Sequence, residues 1–255
     1  MAHRFRSFDG VEIAYQRWGT PDDTPPVVLH HGFVVDATTN FVGPGVVAAL
    51  TDAGRWVVAP DARGHGASGK PHEPARYGEV AMARDLAALV DLLDVDRIDL
   101  VGYSMGAVVS ALLASTDRRV RRLVLGGVGS AVVELGGLDT RAMPPGEVTR
   151  ALLAEDPADI AALPGAPFRI LADAVGADRL ALAAQVAAVR TGRIPLDRIT
   201  APTLVLCGVE DHLASRPEVL ADAITDGKLL VLPGDHLGVV RDPGFALAIV
   251  DFLGA

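Results

Sequence analysis

Three features of the chain predict an α/β fold with a mostly parallel, eight-stranded sheet flanked by helices. Eight short apolar runs recur along it, helix-like segments separate most of them, and polar residues able to do chemistry follow several runs directly. The first two runs, residues 4–8 and 11–16, flank Asp9-Gly10, a hairpin signal that fits two antiparallel edge strands. Pro25-Pro26 leads into a run at 27–29, and further runs follow at 55–59, 98–101, 123–125, 203–206 and 229–232. Between them Glu79–Leu93 and Met105–Ala114 carry apolar residues at helical spacing, and residues 243–252 predict a closing helix with Pro243 in its first turn.

The strand and helix rhythm lapses over residues 127–195. That stretch is rich in Ala, Leu and Asp, with Pro144, Pro145, Pro157, Pro164 and Pro167 breaking it into pieces, of which 147–153 and 180–190 are expected to be helical. Because the runs resume after Ala201-Pro202, the expected organisation is a core domain of residues 1–126 and 196–255. A small helical cap of residues 127–195 is inserted after the sixth strand. No internal repeat or low-complexity tract is apparent.

A length of 255 residues fits one large α/β domain with an insertion and allows a substantial core. A formal charge of −9 argues against a nucleic-acid surface, which needs clustered Lys and Arg, and it also repels anionic membranes. Half of the residues are hydrophobic, yet no stretch approaches the ~18 consecutive apolar residues of a transmembrane helix. Residues 1–8 carry charge with no apolar segment behind them, so no signal peptide and a cytoplasmic location are expected. The one cysteine, Cys207, excludes an internal disulfide and ends the apolar run Leu204-Val205-Leu206, which reads as packing. There is no His-Glu-x-x-His pattern, and Gly126, Gly127 and Gly129 fail to complete a dinucleotide fingerprint because position 132 is Val. No metal and no cofactor are therefore expected, and the partner is a small-molecule substrate; monomer and homo-oligomer both stay open.

The chemistry concentrates in a few loops. Gly102-Tyr103-Ser104-Met105-Gly106 stands between an apolar run and a helix-like stretch, which reads as strand, sharp turn, helix, with a serine at the tip beside the free N–H groups of the helix start. With 27 Gly in the chain the pattern would arise by shuffling roughly one time in ten, so its flanking context carries the weight. A serine nucleophile needs a base, and the base needs an anion to fix its tautomer. Of His3, His30, His31, His65, His72, His212 and His236, the last is the best placed, directly after the final run. Asp211 lies in the loop after the preceding run, and functional groups gather at the carboxyl ends of parallel strands. The earlier loop after residues 123–125 offers no carboxylate before Glu134.

Taken in order, His31-Gly32, the Asp61 to Ser68 segment, Gly102 to Gly106, Gly208-x-x-Asp211 and Gly234-Asp235-His236 resemble the α/β-hydrolase family along nearly all of the chain outside the cap. The resemblance implies Ser104 as nucleophile, His236 as general base and then acid, Asp211 as orienting carboxylate, and the backbone N–H groups of Phe33 and Met105 as oxyanion hole. It also implies that His31 and the Asp61, Arg63, His65 segment brace loops. Phe33, Val34 and Val35 suggest an apolar, crowded acyl side. Met143, Leu152, Leu153, Leu163, Phe168 and Ile170 are candidates for a roof. The activity implied is cofactor-free hydrolysis of a carboxylic ester, thioester or lactone of a small to medium hydrophobic substrate. Alternatives are carbon–carbon cleavage of a diketone-type substrate by the same residues, and a non-catalytic ligand-binding member of the fold.

Overall fold

The computed structural model describes residues 3–189 and 192–254. Its eight strands are β1 (His3–Arg6), β2 (Glu12–Trp18), β3 (Val27–His30), β4 (Val57–Pro60), β5 (Ile98–Tyr103), β6 (Val120–Gly126), β7 (Thr203–Gly208) and β8 (Gly227–Leu232). They form one sheet in the order β1-β2-β4-β3-β5-β6-β7-β8. β1 pairs antiparallel with β2 and β2 with β4, and every other pairing is parallel. All eight predicted strands are present, with ends shifted by a few residues.

The central strands read as unbroken apolar runs because both faces are buried, and the pleat sends alternate residues to opposite sides. Val28, Val58 and Leu100 pack with Leu86 and Leu89 of α2 (Glu79–Leu93) and Val108 of α3 (Met105–Ala114). Val27, Leu29, Val57 and Val101 face the other way, against Val47 and Leu50 of α1 (Val46–Asp52) and Phe245 and Ile249 of α9 (Pro243–Gly254). Both α2 and α3 have the predicted bounds; α1 was not predicted. α8 (Pro217–Asp222), also unpredicted, packs on β7 and β8.

Between β6 and β7 the chain runs through α4 (Ser130–Glu134), α5 (Pro145–Leu153), α6 (Ala166–Val175) and α7 (Arg179–Ala187). The two expected helical pieces correspond to α5 and α7, although Arg190 lies outside the described residues. Val148, Leu152, Ala172 and Leu182 from these helices enclose Val34, which belongs to the loop after β3, in a small separate cluster. No helix among the described residues is long and apolar enough to cross a membrane.

Arg63 braces the loop after β4. Its guanidinium is fully buried; Nε and Nη2 donate to both oxygens of Asp85 on α2 at 2.7 and 2.6 Å, and Nη1 donates to Asp9 in the first hairpin at 2.9 Å. Burial pushes the Asp85 carboxyl up, against the opposing pull of Arg63. Removing the cation would strand that buried carboxylate, which typically costs about 3–5 kcal/mol. Arg63→Ala is therefore expected to lower unfolding free energy by about that amount in urea titrations.

Candidate active site

β5 ends at Tyr103 and α3 begins at Met105, which leaves Ser104 alone to turn the chain. Its backbone adopts φ 53° and ψ −117°, a conformation that L side chains rarely take and that costs of order 1–3 kcal/mol. The surrounding glycines make the turn possible. A Cβ on Gly106 would lie 2.0 Å from the carbonyl oxygen of His30, and one on Gly102 would lie 2.3 Å from that of Gly106. Neither position admits any larger residue without moving backbone.

His236 follows β8 and Asp211 follows β7, and the neighbouring parallel strands bring both to the edge that carries Ser104. His236 Nε2 is 3.0 Å from Ser104 Oγ, and His236 Nδ1 is 2.8 Å from Asp211 Oδ2. Since a carboxylate only accepts, Nδ1 carries the proton and Nε2 presents its lone pair to the hydroxyl. Asp211 is itself oriented, its Oδ1 accepting from the N–H groups of Leu213 and Ala214 at 2.9 and 3.2 Å. The Tyr103 hydroxyl donates to the His236 carbonyl at 2.6 Å, tying the histidine loop to the strand that carries the serine. Nothing in the Gly102–Gly106 pattern announces that link. Glu134, the first carboxylate after β6, is held by Arg141 and Arg216.

The loop after β3 is oriented by two buried histidines. His31 Nε2 accepts from Ala62 N–H at 2.9 Å, which puts the ring proton on Nδ1, and Nδ1–H donates to the Gly32 carbonyl at 2.8 Å. Across a trans peptide the N–H points opposite to the carbonyl, so this bond turns the Phe33 N–H away from His31. Val34 next to it has φ 75°, unusual for a β-branched residue, and its N–H donates to His65 Nε2 at 3.2 Å. The N–H groups of Phe33 and Met105 have no acceptor among the described residues, and Met105 opens a helix, where the dipole favours negative charge. Asp61 holds the neighbouring backbone by accepting from Ala37 and Ala67 N–H groups at 3.1 and 2.8 Å.

Ser104 and His236 open on a cavity of about 370 Å³, within the size range of small-molecule sites. Its walls are mostly apolar: Phe33 and Val35 from the loop after β3, and Leu138, Met143, Phe168 and Leu171 from the segment between β6 and β7. Among the expected roof residues, Met143 and Phe168 line it, Leu152 is buried against Val34, and Leu153 and Ile170 are solvent-exposed. Val34, expected on the acyl side, lies beneath the helices instead. Leu138 and Leu171 were not anticipated. Polar residues also line it, among them Glu210 and His212 from the loop after β7 and Asp235 and Arg241 from the segment after β8. Cys207 is buried, and burial pushes its thiol up to about 11. No cluster of three or more metal-ligating side chains occurs among the described residues.

This fold and this site define a hydrolase of the α/β class. The chain belongs to the family described as the alpha/beta hydrolase fold, whose model matches residues 25–169. It is 40% identical over 124 residues to a 2-hydroxy-6-oxo-2,4-heptadienoate hydrolase of Pseudomonas putida, a match covering 45% of this chain and 41% of that protein. It is 37% identical over 112 residues to epoxide hydrolase A of Mycobacterium tuberculosis, covering 43% and 34%. The matched stretch thus spans less than half the length of each of these curated relatives. The crystal structure of a hydrolase from Pseudomonas aeruginosa PA01 is similar throughout, with a TM-score of 0.82, 30% identity, and coverage of 100% of this chain and 98% of that one.

The buried histidines couple the site to pH. Burial lowers the pKa of His30 to about 3 and holds His31 and His65 below the ordinary histidine value. Below about pH 6.5 the unfolded chain takes up protons that the folded protein refuses. For His30 stability therefore falls as pH drops from about 6.5 toward about 3, by up to about 1.4 kcal/mol per pH unit, and His31 and His65 act in the same direction. Urea midpoints measured at pH 7 and pH 5 are expected to show this loss, and His30→Phe is expected to make the dependence shallower.

Proposed function

We propose that the protein is a cofactor-free serine hydrolase acting on carboxylic esters, thioesters or lactones of small to medium hydrophobic acids. One observation carries this reading: the continuous chain from Ser104 Oγ through His236 to Asp211 at 3.0 and 2.8 Å, opening on an apolar cavity. In this mechanism Ser104 Oγ attacks the carbonyl carbon as His236 Nε2 takes its proton, and the oxyanion forms against the N–H groups of Phe33 and Met105. His236 then protonates the leaving alkoxide. Water, deprotonated by the same ring, releases the acid from the acyl-enzyme. Asp211 stabilises the imidazolium and keeps the tautomer. The helices of residues 127–195 act as a cap, with Met143, Phe168 and Leu171 selecting the acyl group.

Serine at this turn disfavours epoxide opening. The product of serine attack on an epoxide is an ether, which offers water no carbonyl, whereas attack on an acyl group leaves a hydrolysable ester. The similarity to the heptadienoate hydrolase favours a second reading, cleavage of a vinylogous diketone by the same residues. Such a substrate bears a carboxylate, for which Arg241 is the cavity's arginine and makes no ion pair among the described residues.

Turnover of short-acyl aryl esters and lactones separates these readings. Ser104→Ala and His236→Ala are expected to lower kcat by about 10⁴-fold or more and Asp211→Asn by about 10⁴-fold, with folding intact by circular dichroism. Ester turnover by Ser104→Ala near the wild-type rate would overturn the proposal. Rapid consumption of a 6-oxo-dienoate with no ester turnover, lost in Arg241→Ala, would establish the second reading.

A further inference from the structure

Asn40 is the only asparagine in the 255 residues, and it is buried beside the nucleophile. It belongs to the π-helical turn Thr38–Val42, which follows the loop after β3. Its Oδ1 accepts the Gly32 N–H at 2.8 Å. Only the oxygen of an amide can accept, so this bond assigns the orientation of the whole side chain and leaves Nδ2 with two donors. Those donors meet no acceptor among the described residues. Nor is Nδ2 among the sealed polar atoms that lack a partner, which include His30 Nδ1, Trp56 Nε1 and Ser110 Oγ. Asn40 instead lines the cavity together with Ser104 and Phe33. The two residues flank Gly32: a Cβ built there would lie 3.4 Å from Ser104 Cβ and 3.5 Å from Asn40 Oδ1, which places that oxygen within about 7 Å of Ser104 Cβ.

We propose that Asn40 is a further catalytic residue, the third donor of the oxyanion hole. This inference rests on the serine-hydrolase reading of the site. Oδ1 occupies the Gly32 N–H and so holds the turn that presents the Phe33 N–H, while Nδ2 donates to the substrate carbonyl oxygen as it gains charge. A neutral, fixed amide suits that role: it needs no proton transfer, and its dipole is already aimed when the charge develops. A purely structural asparagine would need only its oxygen.

That difference sets the experiment. Asn40→Asp keeps an acceptor for Gly32 N–H and removes both donors. The expected result for a short-acyl aryl ester is a fall in kcat of about 10²–10³-fold, with KM changed little and thermal stability retained. Wild-type kcat in this variant would overturn the proposal. Because a new carboxylate there could unfold the loop, a second measurement uses the unaltered protein. Labelling with ¹⁵N-asparagine yields one side-chain amide pair. After Ser104 is phosphonylated by a small fluorophosphonate, whose phosphoryl oxygen mimics the oxyanion, one proton of the pair is expected to move downfield and exchange more slowly. An adduct with the Asn40 pair unmoved overturns this inference alone; absence of any adduct on folded wild type overturns the serine-hydrolase reading and this inference with it.

Discussion

The close approach of α3 to the end of β3 is the constraint on which the site depends. Gly106 lies so near the His30 carbonyl that a single methyl group would intrude to 2.0 Å. This contact sets the start of α3 against the loop that follows β3, so that Ser104, the Met105 N–H and the Gly32–Phe33 peptide share one corner. The parallel sheet does the rest. β7 and β8 continue the same edge, and their following loops bring Asp211 and His236 within hydrogen-bonding reach.

Rigidity on the oxyanion side comes from neutral groups. His31 and His65 are buried and bonded through both ring nitrogens to backbone, which fixes their tautomers and holds two successive peptides in place. Burial keeps them uncharged at neutral pH, so they orient donors without adding a field of their own. Strain accompanies this order. Ser104 and Val34 both have positive φ, and both are enclosed by packing that over-determines their conformation. The charged brace sits further out, in the Asp9, Arg63 and Asp85 network, where it secures the loop after β4 without facing the cavity.

What the sequence made legible follows from how local each signal is. α2 and α3 were readable to the residue because their apolar spacing is regular and glycines mark the elbow; the grouping of Ser104, Asp211 and His236 was legible because each lies in the turn or loop that follows a strand. The segment between β6 and β7 was opaque for a physical reason. Its helices are rich in alanine, so little contrast separates buried from exposed faces, and a rotation of one residue decides the outcome. Ile170 is 62% exposed while its neighbour Leu171 lines the cavity. Asn40 was missed because its partner is a backbone N–H eight residues away in sequence, a contact that no residue pattern announces. Tyr103 was missed likewise, since its hydroxyl reaches a carbonyl 133 residues on.

The central claim is that this geometry activates Ser104. Intact-protein mass spectrometry after exposure to a small fluorophosphonate tests it most directly, with peptide mapping of the product and His236→Ala as comparison. The account predicts one adduct, located on Ser104, formed rapidly by the wild type and sharply slowed in the variant. Folded wild type that takes no adduct, or takes one elsewhere, would contradict it.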